Sequence, residues 1–172
     1  MEAVASPAAA RRPSYLPLPA FLFEPRGPAL YIVRAWLLTF VPVVAIAATL
    51  YALADGGGFP VTFPLSGAAG FVLVALFAPL AETVLMSGPL LLLHRSFGFG
   101  PAVLGSAALW SVLHGLTAPA WGLTAFWMFL VFSTAFLAWR PRGYGAAVLV
   151  TAAIHALQNS LPALLLFGFG MG

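Results

Sequence analysis

Long apolar stretches, separated by short polar or Gly/Pro-rich breaks, dominate the chain. A helix needs roughly 20 apolar residues to cross the hydrocarbon core of a bilayer. The pattern predicts about five transmembrane helices, over residues 34–54, 67–93, 101–119, 122–139 and 144–167. The predicted fold class is therefore all-α, a polytopic membrane helix bundle.

The segments outside the predicted helices are too small to form a second domain. Residues 1–33 are rich in Ala and Pro and are expected to form a disordered or interfacial N-terminal arm. Residues 34–167 would form the transmembrane domain, and residues 168–172 a Gly/Phe tail. A loop is expected after Asp55, and a tight turn at Arg140-Pro141-Arg142-Gly143.

Composition supports a membrane protein and excludes several kinds of chemistry. The chain is 62% hydrophobic and 6% charged, whereas a soluble domain carries about 25% charged residues. It contains no cysteine, so disulfides, thiolate catalysis and Cys-ligated zinc are excluded. The chain has seven arginines and no lysine, which beside abundant Ala and Gly is typical of a GC-rich genome. The expected location is a bacterial cytoplasmic (inner) membrane.

The arginines also predict the topology. With five crossings and a cytoplasmic N-terminus, every arginine falls on the cytoplasmic side, the pattern of the positive-inside rule. The C-terminus would then lie outside. Topology thus explains the net charge of +3, and no nucleic-acid partner is expected. The arginines are Arg11, Arg12, Arg26, Arg34, Arg95, Arg140 and Arg142.

Four polar residues inside the apolar helices are the candidates for chemistry: Glu82, His114, His155 and Asn159. Helix rise places Glu82, His114 and His155 about 18, 20 and 17 Å from the cytoplasmic ends of their helices. Asn159 follows His155 by one helical turn and shares its face. Polar groups in a bilayer face the bundle interior, so the sequence predicts that all four line one cavity.

Each of these residues alone could simply bond one helix to another. Gln158 is interpreted in that structural sense, on a different face of its helix. The combination suggests more, because a carboxylate and an imidazole can activate a water. A second imidazole and an amide can donate to a developing oxyanion. Together they are the groups needed to hydrolyse an amide within a membrane.

Three short motifs resemble those of the CPBP family of intramembrane glutamic proteases, also called the CAAX protease and bacteriocin-processing, or ABI, family. The family motifs are E-E-x-x-x-R, F-x-x-x-H and H-x-x-x-N/D. The chain has Glu82-Thr83-Val84-Leu85-Met86-Ser87, then Trp110-Ser111-Val112-Leu113-His114, then His155-Ala156-Leu157-Gln158-Asn159. They occur in the family's order and on separate predicted helices, and the resemblance covers residues 67–166.

The resemblance implies a role for each matching residue. Glu82 and His114 would activate the water, and His155 and Asn159 would form the oxyanion site, with no cofactor and no metal. The chain departs from the first motif at two positions, where Thr83 replaces the second Glu and Ser87 the Arg. Because both charges are absent, the departure corresponds to loss of a supporting ion pair as a unit.

The predicted function is an intramembrane endopeptidase of the CAAX-processing type, or one that processes leader or sorting signals. Its partners would be the lipid bilayer and a peptide or protein substrate, lipidated or membrane-anchored. Three alternatives stay open at this point. The protein could be a non-catalytic immunity or chaperone-like member of the fold, or a small transporter. Alternatively, the Glu and the two His could bind a zinc ion.

Overall fold

The computed structural model of the protein describes residues 16–53 and 66–168. Within these ranges the chain is helical and contains no strand, which confirms the predicted all-α fold. The expected loop at 55–65, the first 15 residues and the end of the tail at 169–172 lie outside the described residues. The five main helices are α1 (Pro28–Leu53), α2 (Gly67–Phe97), α3 (Phe99–Gly115), α4 (Pro119–Trp139) and α5 (Tyr144–Gly168).

Four of these helices, all except α3, are long and apolar enough to cross a membrane. Helix α3 has 17 residues, about 25 Å of rise, which is the lower limit for a span. It ends at Gly115, before the expected boundary at Pro119. Ala118 has an extended backbone because a following proline disfavours the helical conformation, so α4 starts anew at Pro119.

Helix α1 begins at Pro28, earlier than the expected start at Arg34. The preceding residues pack on the bundle instead of projecting from it. A short 3₁₀-helix spans Ala20–Phe23, and Leu16, Leu18, Leu22 and Phe23 are buried in the core. The Tyr31 hydroxyl donates a hydrogen bond to the Leu22 carbonyl at 2.8 Å, which joins this segment to α1.

One end of the bundle gathers the described arginines, and we call it the arginine end. The rings of Phe23 and Phe99 lie 5.7 Å apart there, and those of Tyr31 and Trp139 lie 5.3 Å apart. These contacts bring together the start of α1, the α2–α3 connection and the end of α4. Residues Arg26, Arg95, Arg140 and Arg142 adjoin them. Arg34 follows in the second turn of α1 and lines the same surface pocket as Arg26.

The expected turn between α4 and α5 is also at the arginine end. It is a 3₁₀ turn over Arg140–Arg142, closed by Gly143 at φ 117°, a conformation that favours glycine. The opposite end, which we call the far end, holds the end of α1, the start of α2, the α3–α4 turn and the end of α5. The described arginines thus lie on one side, as the topology prediction requires, while the orientation in the membrane stays a prediction.

Helix α2 is distorted on the far-end side of Glu82. Residues Leu73–Phe77 form a π-helical turn, and Pro79 follows after one intervening residue. A proline removes one backbone donor and its ring clashes with the preceding turn, which the wider π turn relieves. At Pro89, by contrast, the α-helix continues without a break. The distortion of α2 is therefore found on one side of Glu82 only.

Candidate active site

The structure brings Glu82, His114 and His155 together from three different helices. Glu82 Oε2 lies 3.9 Å from His114 Nε2 and 3.8 Å from His155 Nε2. The side chains of Glu82 and His114 are 27% and 23% exposed, whereas that of His155 is 4% exposed. One carboxylate oxygen therefore faces two imidazoles, at separations slightly too long for direct hydrogen bonds.

These side chains open into a cavity of about 290 Å³ between the helices. Asn159 also lines it, so the cavity contains all four residues that the sequence singled out. Most of the remaining wall is apolar, and each of the five helices contributes to it. The lining residues are Val43, Val74, Ala78, Glu82, His114, Trp121, Thr124, Met128, His155, Gln158, Asn159, Pro162 and Leu166.

His114 lies in the last turn of α3, where its ring is held in one tautomer. Its Nδ1 is 2.9 Å from the Trp110 carbonyl oxygen. Because a carbonyl only accepts hydrogen bonds, Nδ1 must carry the proton and donate it. In the neutral ring Nε2 is then an acceptor, and this is the nitrogen that faces Glu82.

His155 is held between aromatic rings of α4. Its ring centroid lies 4.6 Å from that of Phe132 and 5.7 Å from that of Phe129. Its Nδ1 is buried and has no hydrogen-bond partner among the described residues. A buried N–H without a partner is costly, which favours the tautomer with the proton on Nε2, toward the polar side of the site.

Asn159 bonds to the distorted part of α2, since its Nδ2 donates to the Val74 carbonyl at 3.1 Å. In an α-helix that carbonyl would accept from the Ala78 N–H, which here donates to Leu73. In a π-helix the donor would be residue 79, a proline without an N–H. Asn159 therefore satisfies a carbonyl that the π turn and Pro79 together leave without a donor.

One comparison with known proteins gives a match that identifies a family. Residues 64–161 match the family described as "Type II CAAX prenyl endopeptidase Rce1-like", over more than half of the chain. The chain belongs to this family. No curated protein and no solved structure matches it. The CAAX endopeptidase family is a family of proteases, and the matched region contains Glu82, His114, His155 and Asn159.

Thr83 and Ser87, where the chain departs from the CAAX protease motif, are both buried on the inner side of α2. Thr83 Oγ1 donates to the Pro79 carbonyl at 2.7 Å. Ser87 Oγ lies 2.8 Å from the Tyr144 hydroxyl and also donates to the Val84 carbonyl at 2.7 Å. Short neutral hydrogen bonds thus replace the family's ion pair, and no unpaired charge is left at these two positions.

The sequence interpretation placed Gln158 on a different face of its helix, but in the structure it also lines the cavity. It is buried, and its Oε1 accepts a 2.8 Å hydrogen bond from Thr39 Oγ1 on α1. The residue thus does join two helices, as expected, but it does so at the wall of the site. The sequence feature that could have indicated its place at the site is its position directly before Asn159.

Two aromatic residues that sequence reasoning missed support both imidazoles. The Phe129 ring stacks on Trp110 at 4.7 Å and lies 5.4 Å from the His114 ring. It also contacts Phe132, which lies against His155. Helix α4 is apolar on all sides, a pattern that indicates burial but does not tell which side faces a site.

The zinc alternative gains no support from the geometry. Among residues 16–53 and 66–168, no three His, Asp or Glu side chains are arranged to hold a metal ion. The Glu82 carboxylate instead faces two imidazole nitrogens of different character, one an acceptor and the other favoured as a donor. This asymmetry fits the handling of a proton and an oxyanion.

Proposed function

We propose that the protein is an intramembrane endopeptidase that hydrolyses a peptide bond with a water activated by Glu82 and His114. The proposal rests on one observation. His114 and His155 face the same carboxylate oxygen of Glu82 within a partly exposed cavity. Membership of a CAAX protease family supports the same reaction class. The substrate would be a membrane-anchored peptide or protein.

The gap between Glu82 and His114 suits a bridging water. Polar groups separated by more than about 3.5 Å are commonly joined by one, and here the oxygen and nitrogen are 3.9 Å apart. Both facing atoms are acceptors, so a water can donate one hydrogen to each. Its lone pairs then point away from both groups, toward a substrate carbonyl carbon in the cavity.

In the proposed reaction the water attacks the carbonyl carbon as Glu82 takes its proton. The carbonyl oxygen gains the negative charge, and the Nε2–H of His155 donates to it. Asn159 contributes the amide hydrogen that is not bonded to Val74. As the carbon–nitrogen bond breaks, the proton on Glu82 passes to the leaving nitrogen, and the products are a carboxylic acid and an amine. Removing one such oxyanion donor typically costs about 100- to 1,000-fold in rate.

A double-mutant comparison tests this proposal. Reconstituted variants Glu82→Gln and His114→Ala should each abolish cleavage, and the double variant should lose no more than either alone, because residues that act as a unit are not additive. The measurement is cleavage of membrane-anchored peptides in proteoliposomes, with solute flux followed in parallel. Additive losses would contradict a shared water, and flux without cleavage would favour a transporter.

We also propose that the arginine end faces the cytoplasm of a bacterial cell, with the protein in the cytoplasmic membrane. The support is the grouping of the described arginines at that end, which is the arrangement that the positive-inside rule favours. The second candidate, a non-catalytic member of the fold, rests on the neutral Thr83 and Ser87 positions. It predicts an intact cavity and no cleavage.

A further inference from the structure

Two buried polar atoms, one helical turn apart on α5, have no hydrogen-bond partner among the described residues. They are Oγ1 of Thr151 and Nδ1 of His155. Thr151 is completely buried, and the His155 side chain is 4% exposed. A buried polar group without a partner destabilises the folded state, and native proteins contain few of them. Two such atoms on neighbouring turns of one helix suggest a common explanation.

The two side chains share one face of α5. Residues four apart in a helix have Cβ atoms about 5–6 Å apart. Helical side chains also lean toward the start of their helix, so the His155 ring lies over the turn that carries Thr151. Its Nε2 faces Glu82 at 3.8 Å, whereas Nδ1 is the ring nitrogen nearer to the backbone. Ala152, on the same preceding turn, has no polar side-chain atom, so Thr151 is in position to donate to Nδ1.

Thr151 differs from the other buried threonines in what its hydroxyl does. Those of Thr39, Thr83 and Thr134 each donate to a backbone carbonyl three or four residues earlier, at 2.7 to 2.8 Å. Thr151 makes no such bond within α5, so its hydroxyl proton remains available. A helical threonine populates more than one χ1 rotamer. Rotation about χ1 exchanges a hydroxyl and a methyl group of similar size, so the packed core can accommodate it.

A direct hydrogen bond fits this place better than a bridging water. Neither Thr151 Oγ1 nor His155 Nδ1 is accessible to solvent, and a buried water needs polar space of its own and typically about three hydrogen bonds. The rings of Phe129 and Phe132 flank His155, with centroids 5.7 and 4.6 Å from its own. The imidazole would have to displace these rings to reach another partner.

The two histidines of the site differ in what the preceding turn offers to Nδ1. For His114 it is the Trp110 carbonyl oxygen, four residues earlier, which only accepts and so requires a proton on Nδ1. For His155 the group four residues earlier is a hydroxyl, which can donate. A donated hydroxyl proton requires an unprotonated Nδ1, and the neutral ring then carries its proton on Nε2. The residue four positions before each histidine thus selects opposite tautomers.

We propose that Thr151 is a positioning residue, which donates a hydrogen bond to His155 Nδ1 and so keeps the proton of that ring on Nε2. The tautomer follows from the geometry of α5. Its use in the reaction rests on the proposed function, in which the Nε2–H of His155 donates to the oxyanion. Thr151 lies outside the three motifs that carry the family resemblance.

Nitrogen NMR on protein with isotope-labelled histidine tests the hydrogen bond without any enzyme assay. The chain has three histidines, and the spectrum of His155→Gln identifies the signals of this ring. At alkaline pH, where an ordinary histidine is neutral, protonated and unprotonated ring nitrogens resonate in separate regions. Thr151→Val and Thr151→Ala remove the hydroxyl, and Thr151→Ser keeps it. Thr134→Val is the matched control, because it removes an equally buried hydroxyl from α4.

We expect wild-type His155 to carry its proton on Nε2, with Nδ1 resonating as a hydrogen-bonded acceptor. Thr151→Val and Thr151→Ala should move the Nδ1 signal to that of a free acceptor or protonate Nδ1 in a fraction of the molecules. Thr151→Ser and Thr134→Val should keep the wild-type spectrum. A proton on Nδ1 in the wild type would overturn the proposal without any variant. An unchanged Nδ1 signal without the hydroxyl, or the same change in Thr134→Val, would also overturn it.

Cleavage kinetics on the same proteins connect the tautomer to the reaction. A ring with its proton on Nδ1 offers no donor to the oxyanion, so Thr151→Val should lower kcat with little change in KM. The loss should not exceed the about 100- to 1,000-fold that removal of an oxyanion donor costs, and Thr151→Ser should keep the wild-type rate. The predicted spectra with an unchanged kcat in Thr151→Val would overturn the positioning role. The predicted spectra without cleavage even by the wild type would contradict the proposed function and leave the hydrogen bond established.

Discussion

The two halves of the bundle differ in how their helices are held together. Toward the arginine end, aromatic and aliphatic side chains of α4 and α2 fill the interior, as Phe132, Phe136 and Met86 illustrate. Toward the far end the helices surround a cavity of about 290 Å³ and are joined by individual hydrogen bonds. The carboxylate and the two imidazoles lie where the filled half meets the hollow one.

This difference suggests a division of labour between packing and chemistry. Dispersion contacts and buried area stabilise the filled half, while the hollow half keeps polar groups accessible to a substrate. Phe129 and Phe132 belong to the filled half and also touch the imidazole rings. The packed core therefore supports the two imidazole rings from the arginine side, and substitutions in the two halves should have different consequences.

The largest expected effect on stability comes from truncation in the filled half. Phe132→Ala should lower the free energy of unfolding by about 3–5 kcal/mol, because it removes a fully buried ring and leaves a void. Leu166→Ala, in the wall of the open cavity, should cost roughly 1 kcal/mol or less because no enclosed void forms. Denaturation in mixed detergent micelles measures both, and equal losses would remove the proposed difference between the halves.

A smaller loss of stability is expected from a substitution where α3 and α4 approach each other closely. A Cβ at Gly122 would lie 2.9 Å from the Ser111 carbonyl oxygen and 3.2 Å from the Gly115 Cα. Gly122→Ala should therefore cost about 1–3 kcal/mol and displace the turn that carries His114, with loss of cleavage.

Gly88→Ala is the matched control for this substitution, because a Cβ there meets nothing within 4 Å. It should retain both stability and cleavage in the same assays. Wild-type cleavage by Gly122→Ala would mean that the close approach of α3 and α4 does not position His114.

The smallest expected effect on stability is at Asn159. Asn159→Ala removes the donor to the Val74 carbonyl, and hydrogen bonds between membrane helices contribute about 0.6 kcal/mol on average. Cleavage should fall far more than stability, because the same amide is the proposed oxyanion donor. Unfolding and cleavage measured on the same preparation separate the two effects, and a loss of stability without loss of activity would make Asn159 a structural residue only.

How far the sequence predicted the molecule can be judged from particular residues. The positions of α4 and α5 followed from apolar runs bounded by Pro, Gly and Arg, and their ends agree with the structure to within a few residues. The start of α1 and the end of α3 were predicted less well. Both depend on prolines, at Pro28 and Pro119, whose effect on the neighbouring backbone a hydrophobicity pattern does not express.

The grouping of Glu82, His114 and His155 was predictable because charged groups within a membrane must face inward. The partner of Asn159 was not, because it is a backbone carbonyl freed by a π turn that no side-chain pattern reveals. Gln158 shows the same limit. Its bond to Thr39 depends on how α1 packs against α5, which local sequence does not specify.

The most direct test of the account is whether the Glu82 carboxylate is needed for proteolysis. Cells producing the wild type, Glu82→Gln or Glu24→Gln would be compared by mass spectrometry of new peptide termini in membrane and secreted proteins. Glu24 is a suitable control because it lies at the arginine end, 3.9 Å from Arg26 and away from the cavity. The account predicts termini that appear with the wild type and Glu24→Gln and disappear with Glu82→Gln at equal protein levels. The same termini in all three would contradict it, and the non-catalytic interpretation would then replace the protease.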